Sequence, residues 1–301
     1  MPELPDITLY IERLSAHTAG QRLSAVKIQS PFFLRSVEPK ITELNGRVVQ
    51  GFRRLGKRIT FDFGDELYAV IHLMIAGRMR WRKAGSVASG KNALATFIFE
   101  HGSLWLTEAS TQKRASLHVV RGEDELARHQ PGGLEPLQAN SRTFAEALLS
   151  QNRTLKRALT DPRIFSGIGN AYSDEILFDA RLSPMKLTGS LEPDEVERLF
   201  VSTQSVLTDW LERFRVEVGD GFPEKVTAFR PEMKVHGKYK EPCVVCGKPI
   251  QRIRYAANEC NYCAKCQNAG RLLADRSLSR LLKKDWPRTL EELEQLRGER
   301  A

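Results

Sequence analysis

The sequence predicts an α+β fold in two main parts, and three observations carry that prediction. Short apolar runs separated by turn residues fill positions 25–120, the apolar spacing becomes helical after about residue 140, and a basic, cysteine-bearing module begins near Val235. At 301 residues the chain is about twice a typical domain, which leaves enough mass for a buried core in each part. With 41% hydrophobic and 28% charged residues it has the balance of a globular protein, and a disordered or low-complexity chain is excluded.

The elements follow in order. Met1-Pro2-Glu3-Leu4-Pro5-Asp6 is acidic and proline-punctuated, without the basic start and apolar run of a secretory signal. Ile7, Tyr10, Ile11 and Leu14 then predict an amphipathic helix over residues 6–17. Strands are predicted around Ala25–Gln29, Val48–Phe52, Arg58–Phe63, Leu67–Leu73, Arg78–Arg82, Ala95–Phe99, Ser103–Thr107 and Ser116–Val120. Turn residues such as Asn45-Gly46, Phe63-Gly64-Asp65 and His101-Gly102 separate them, so this part reads as an antiparallel sandwich or barrel. Gln130 to Pro136 reads as a linker.

Helices are predicted over Phe144–Leu149, Leu155–Thr160, Ala171–Ala180 and Pro193 to about Phe214, with Ser190 or Asp194 as start signals for the last. Arg271 to Arg300 reads as a helical tail interrupted at Trp286-Pro287. The expected domains are therefore 1–130, a linker at 131–139, a helical domain at 140–234, a metal finger at 235–270 and a tail at 271–301. The most apolar stretch, Ala69 to Ala76, is broken by His72 and is far shorter than the roughly 20 residues of a membrane helix.

Charge is regional. The chain carries 46 Lys and Arg against 37 Asp and Glu, a surplus of +9. Thirteen basic and four acidic residues lie between Arg230 and Lys284, so that segment holds the whole surplus and the remainder is neutral on balance. Such a patch suits a polyanionic partner. All five cysteines fall between Cys243 and Cys266, a crowding that fits a metal site in a reducing cytosol better than a disulfide framework.

The spacing Cys243-x2-Cys246, sixteen residues, Cys263-x2-Cys266 lets two knuckles present four thiolates to one tetrahedral Zn²⁺. Four thiolates close the coordination sphere, so the metal is expected to be structural; Cys260 is read as a free thiol. Lys248, Arg252 and Arg254 would make the intervening hairpin a cationic finger for phosphates. Phe165-Ser166-Gly167-Ile168-Gly169-Asn170 is a glycine-rich turn opening a helix, where backbone N–H groups and Asn170 can hold a phosphate; taken alone, such turns are more often plain connections. Pro2, once Met1 is removed, is a secondary amine suited to nucleophilic attack on a sugar carbon, with Glu3 beside it as proton shuttle; composition alone would make them an ordinary chain start.

Over residues 1 to about 268 the chain resembles the formamidopyrimidine-DNA glycosylase and endonuclease VIII family. The blocks that carry the resemblance are Met1-Pro2-Glu3-Leu4-Pro5-Asp6, Gly56-Lys57, His72-Leu73, Gly133-Leu134-Glu135-Pro136-Leu137, Gly167-Ile168-Gly169-Asn170-Ala171-Tyr172-Ser173-Asp174-Glu175, Pro242-Cys243-Val244-Val245-Cys246-Gly247 and Cys263-Ala264-Lys265-Cys266-Gln267. The resemblance implies an N-terminal β-sandwich flanked by helices, then a helical domain with a helix-two-turn-helix motif and a four-cysteine zinc finger, with DNA in the cleft between them. It implies Pro2 as the nucleophile at C1′, Glu3 as proton shuttle, and Lys57, His72 and Asn170 as phosphate anchors. Asp6 and Glu175 become candidate active-site carboxylates, although Asp174-Glu175 also fits a solvated helix face.

Departures from the family pattern are local. The finger position that usually carries arginine is Asn258, which weakens the phosphate grip or moves it to Arg252 or Arg254. Met74 or Ile75 would fill the gap left by an extruded base, with core packing as the competing role, while the second void-filling loop, Glu108 to Ser116, lacks the Arg-x-Phe pair of oxoguanine-type members. The implied activity is that of a monomeric cytosolic DNA glycosylase and abasic-site lyase, acting in base-excision repair on oxidised or otherwise damaged bases, in duplex or single-stranded DNA, and holding one structural Zn²⁺. The alternative is a catalytically weak zinc-containing protein that binds abasic or distorted DNA; an RNA-binding zinc ribbon would explain the basic segment alone.

Overall fold

In a computed structural model that describes residues 1–224, 226–255, 258–274 and 286–298, the chain forms two units. One comprises Met1–Gly132 with Asp209–Ala228, the other Gly133–Thr208 with Phe229–Ala301.

The first unit opens with helix α1 (Leu4–Thr18), which buries Ile7, Tyr10 and Leu14 at the spacing read from the sequence. Eight strands follow: β1 (Leu23–Ile28), β2 (Gly51–Leu55), β3 (Arg58–Asp62), β4 (Leu67–His72), β5 (Gly77–Arg82), β6 (Ala93–Phe99), β7 (Ser103–Glu108) and β8 (Ser116–Arg121). They pair antiparallel in two four-stranded sheets, ordered β1-β6-β7-β5 and β2-β3-β4-β8. Ile59 and Phe61 of β3, Leu117 and Val119 of β8, and Ala95 and Phe97 of β6 share one core with α1. Two sheets facing one core make a sandwich, which decides between the two architectures left open by the strand pattern.

Strand β4 is buried on both faces. Ala69 and Ile71 join the main core, while Tyr68 and Val70 pack with Leu55, Val120 and Leu126 on the outer face. That second layer explains why Leu67–Ile71 reads as a continuous apolar run rather than an alternation. Leu126 belongs to a short helix, α2 (Glu123–Ala127), that the apolar spacing did not predict. The predicted strand at Val48–Phe52 begins only at Gly51, Val48 making an isolated bridge to Arg22. At the β6–β7 turn Gly102 is required by contact: a Cβ there would lie 2.1 Å from the Trp81 ring.

Residues 209–228 belong to this unit although they fall inside the expected 140–234 domain. Phe222 stacks against His17 at 5.8 Å and lies 5.9 Å from Tyr10, and Arg215 Nε pairs with Glu12 at 3.0 Å.

The second unit contains α3 (Ser141–Leu149), capped by Asn140, whose side chain accepts the Thr143 N–H at 2.9 Å. Helices α4 (Leu155–Thr160) and α5 (Asn170–Asp179) follow, then α6 (Pro193–Val218), whose residues to Thr208 lie in this unit. Hairpin β9 (Gln251–Tyr255) and β10 (Asn258–Tyr262), α7 (Ala264–Asn268) and α8 (Leu290–Gly298) complete it. Residues 271–274 are not helical, contrary to the expected helical tail, because Arg271 bridges to Thr289 instead. Residues 275–285 of that tail lie outside the described residues. Among the described residues no helix is long and apolar enough to cross a membrane.

Candidate active site and metal centre

In the first unit the N-terminal residues are fixed by the start of α1. Pro2, Glu3 and Asp6 are all buried, and the Asp6 carboxylate accepts the Glu3 N–H at 2.9 Å. A carboxylate on the first-turn donors is favourable at a helix N-terminus, so Asp6 positions Glu3 and the residue before it. Burial, the largest influence, holds the terminal amine of Met1 below its ordinary pKa of 8.0; Glu3 opposes this, and Arg78 and Lys57 reinforce it. Glu3, Asp6, Lys57 and Arg78 therefore all lie within electrostatic reach of the chain start.

Lys57 sits with Gly56 in the two-residue turn between β2 and β3, where Leu55 pairs with Arg58. Gly56 has φ +62°, the left-handed value that such a hairpin turn needs at its first position. Register places Arg58 opposite His72, and His72 opposite Ser116. Burial, then the positive charges of Arg58 and Lys57 and the His118 ring, pushes the His72 imidazole down to a pKa of about 4. His118 and His129 are held down in the same direction, also foremost by burial. Their rings are 4.7 Å apart, and Arg58 donates to the His129 carbonyl at 2.9 Å.

Met74 has φ +52° in the turn between β4 and β5 and is half-buried; Ile75 is 61% exposed, so core packing is not its role. Arg78, which sequence reasoning missed, donates to the carbonyls of Ile75 and Gly77 at 3.1 and 2.6 Å and so holds this turn. The loop after β7 is also built rather than loose. Buried Glu108 accepts the backbone N–H groups of Arg114 and Ala115 at 3.0 and 3.1 Å.

In the second unit, α5 carries the glycine-rich turn at its N-terminus. Gly167 has φ +81°, which only glycine adopts without strain, and Gly133 is packed so that a Cβ would meet the Pro162 carbonyl at 2.5 Å. Asn170 Nδ2 donates to the Glu259 carbonyl on β10 at 2.8 Å. Glu175, buried, accepts the N–H groups of Lys234, Val235 and His236, each at 2.9 Å. Burial, the largest influence, nevertheless raises its pKa above the ordinary carboxylate value. Asp174 is fully buried and takes Lys156 Nζ at 2.6 Å, His236 Nδ1 at 2.8 Å and the Asn261 N–H at 3.1 Å. The solvated-face reading of Asp174-Glu175 is thereby corrected: both carboxylates point inward and tie α5 to the segment before the finger, and Asp174 also to the finger hairpin. Lys156 and His236 were not foreseen from the sequence, because their partner Asp174 lies in a helix, NAYSDEILFD, whose even mix of polar and apolar residues does not mark it as buried.

Cys243, Cys246, Cys263 and Cys266 converge, with all four Sγ atoms within 4.8 Å of one another. Cys243 and Cys266 are 3.9 Å apart and Cys246 and Cys263 3.4 Å. Four sulfurs about 2.3 Å from a tetrahedral Zn²⁺ would be about 3.8 Å from each other, so the set fits that ion. Cys260 lies outside the cluster, 1% exposed, and burial foremost pushes its thiol well above the ordinary pKa. Arg252 lies over the Tyr239 ring at 4.0 Å, and Arg254 Nε is 4.0 Å from Glu259. On the ladder Asn258 pairs with Tyr255 beside the hairpin turn.

A profile described as the formamidopyrimidine-DNA glycosylase N-terminal domain matches residues 1–120, and one described as the formamidopyrimidine-DNA glycosylase H2TH domain matches residues 133–218. A formamidopyrimidine-DNA glycosylase of Listeria monocytogenes is 30% identical over 275 residues, covering 89% of this chain and all of the relative. The chain belongs to the formamidopyrimidine-DNA glycosylase family. Among solved members, Lactococcus lactis Fpg in complex with abasic-site DNA superposes with a TM-score of 0.76 at 25% identity, covering 88% of this chain and 99% of that one. The same organism's Fpg in complex with DNA containing an oxidised pyrimidine gives 0.77 at 26% identity, with 89% and 100% covered.

Proposed function

We propose that this protein is a DNA glycosylase and abasic-site lyase of base-excision repair, acting on oxidised bases. The observation that carries the reading is kinship with the glycosylases over 89% of a chain that keeps Pro2-Glu3 at its start. After removal of Met1, the Pro2 nitrogen attacks C1′ of the damaged nucleotide and the base leaves as its glycosidic bond breaks. The aminal left at C1′ opens as its C1′–O4′ bond breaks and O4′ takes a proton from Glu3, giving an iminium ion that acidifies the 2′ proton; loss of that proton expels the 3′ phosphate in β-elimination, and a further elimination releases the 5′ phosphate. Glu3 serves as the proton carrier, held in place by Asp6. The Pro2 amine must be neutral to attack, and burial of the chain start disfavours the charged form of an amine placed there.

Lys57 and His72 on the first unit, and Asn170, Arg252 and Arg254 on the second, are assigned to DNA phosphates, with Met74 and Ile75 filling the space of the extruded base. Bound at the four cysteines, Zn²⁺ supplies a structural cross-link between the two knuckles. A monomer in the cytoplasm, meeting damaged duplex or single-stranded DNA, completes the reading. Asn258 and the altered 108–116 loop favour a second reading, a catalytically weak binder of abasic DNA; the retained Pro2, Glu3 and Lys57 speak for turnover.

Borohydride trapping on abasic-site DNA separates the two. A covalent adduct that disappears in Pro2→Gly, together with strand cleavage by the wild type, is expected; absence of both adduct and cleavage overturns the enzymatic reading.

A further inference from the structure

The end of the chain folds back on the metal-bearing hairpin. Arg271 forms a bridge with Thr289, the Leu272 N–H donates to the Arg288 carbonyl at 2.7 Å, and the Leu290 N–H donates to the Gly270 carbonyl at 3.3 Å. These contacts deliver Leu290, only 1% exposed, into an apolar cluster with Ile253 of β9, Tyr262 of β10 and Ala264 of α7, flanked by Leu272 and Leu273. The Tyr262 hydroxyl accepts the Leu273 N–H at 2.8 Å. One turn along α8, Glu294 takes Lys248 at 3.2 Å, and Lys248 lies between the Cys246 knuckle and β9.

Two features give this packing a consequence. Among the described residues β9 and β10 pair only with each other, and a two-stranded hairpin is marginal without a face to pack on. The Listeria relative, in turn, is covered from end to end by 89% of this chain, so part of the chain has no counterpart there. The resemblance read from sequence ends near residue 268, just before the segment that folds back.

We infer that the C-terminal segment is a buttress of the finger hairpin, in which Leu290 wedges the strands and Glu294 fixes Lys248, so that the tail sets the pose of Arg252 and Arg254. Leu290 is a positioning residue: it acts through β9, the strand that carries both arginines. Lys248, paired with Glu294, is removed from the cations that face a phosphate.

The test uses full-length Leu290→Asp, Leu290→Ala and Leu290→Met. Amide exchange of β9 and β10 is expected to quicken about ten-fold or more in Leu290→Asp and less in Leu290→Ala, with β3 and β4 unchanged. Metal release to a chelator should quicken in the same order, and Leu290→Met should restore both. On abasic DNA, KM is expected to rise about five-fold in Leu290→Asp with kcat within about two-fold. Wild-type exchange and KM in both Leu290→Ala and Leu290→Asp, or a fall in kcat at unchanged KM, would overturn the inference. If Leu290→Asp does not fold, Leu290→Ala decides alone. The kinetic arm rests on the proposed activity; exchange and metal release do not, so a protein without cleavage would sink that reading and leave this one decided.

Discussion

Replacing His72 with Gln should flatten the acid side of the protein's stability profile. In the folded state the His72 imidazole is pushed from its ordinary 6.5 down to about 4, first by burial and then by Arg58, Lys57 and His118. A histidine held neutral in the folded state but free to ionise when unfolded favours unfolding by proton uptake, so stability rises with pH between about 4 and 6.5 and is level above. At 1.36 kcal/mol per factor of ten in proton affinity, the full interval is worth about 3 kcal/mol, and partial solvent screening trims the loss between pH 7 and pH 4.5 to about 2 kcal/mol.

Urea unfolding followed by the fluorescence of Trp81 and Trp105, both in the first unit, reads this directly. The wild type should lose about 2 kcal/mol more between pH 7 and pH 4.5 than His72→Gln does. Carboxylates common to both proteins cancel in that difference. Arg58→Met should recover only part of it, since burial outweighs the like charge. Equal losses in wild type and His72→Gln would refute the reasoning. On the proposed contact of His72 with a phosphate, the ring would serve as a neutral hydrogen-bond donor at pH 7, and DNA binding would draw a proton onto it as the pH falls.

Further outcomes follow from single contacts. Asp174→Asn leaves the Lys156 ammonium buried without its counter-charge and should cost about 3–5 kcal/mol in thermal or chemical denaturation; a loss under about 1 kcal/mol would show that the pair is not what holds this region. Cys263→Ser should abolish stoichiometric metal binding while Cys260→Ser retains it, as read by metal analysis of the purified proteins. Gly102→Ala drives a Cβ against Trp81 and should destabilise the first unit by about 1–3 kcal/mol, with a shift in tryptophan emission as the local check. Arg252→Met should lower the slope of log K against log salt for DNA by about 1, whereas an unchanged slope removes Arg252 from the phosphate contacts.

What the sequence made legible depended on how many neighbours each residue answers to. The strands β3 to β8 stand within a residue or two of their apolar runs because burial on one face imposes a period of two and burial on both faces, as in β4, a continuous run, and the four cysteines were legible because tetrahedral ligation fixes their spacing. The membership of residues 209–228 was not legible. A continuous helical period runs through Pro193–Val218, and nothing local marks that Arg215 and Phe222 answer to Glu12, His17 and Tyr10 about two hundred positions away. The outer-face helix α2 was hidden for a similar reason: only Leu126 of its five residues is buried, too little to show a period.

Helix α5 shows how the polar side chains of a recognised motif also serve the fold that carries it. Gly167-Ile168-Gly169-Asn170 invites a reading of every nearby polar group as a ligand contact, and its helix N-terminus does present donors suited to a phosphate. Yet positions 171–178 are buried throughout, so polar groups there must be satisfied by the protein. Asp174 answers to Lys156, His236 and Asn261; Glu175 answers to three consecutive backbone amides; Asn170 answers to the Glu259 carbonyl. These side chains link the glycine turn and α5 to the segment before the finger and to the finger hairpin within the second unit. On the proposed phosphate role of Arg252 and Arg254, loss of Asp174, which holds the Asn261 N–H of β10, should weaken DNA binding by displacing those arginines. A carboxylate in direct contact with the sugar would instead lower kcat at unchanged stability, and the two outcomes are separable in one set of denaturation and single-turnover measurements.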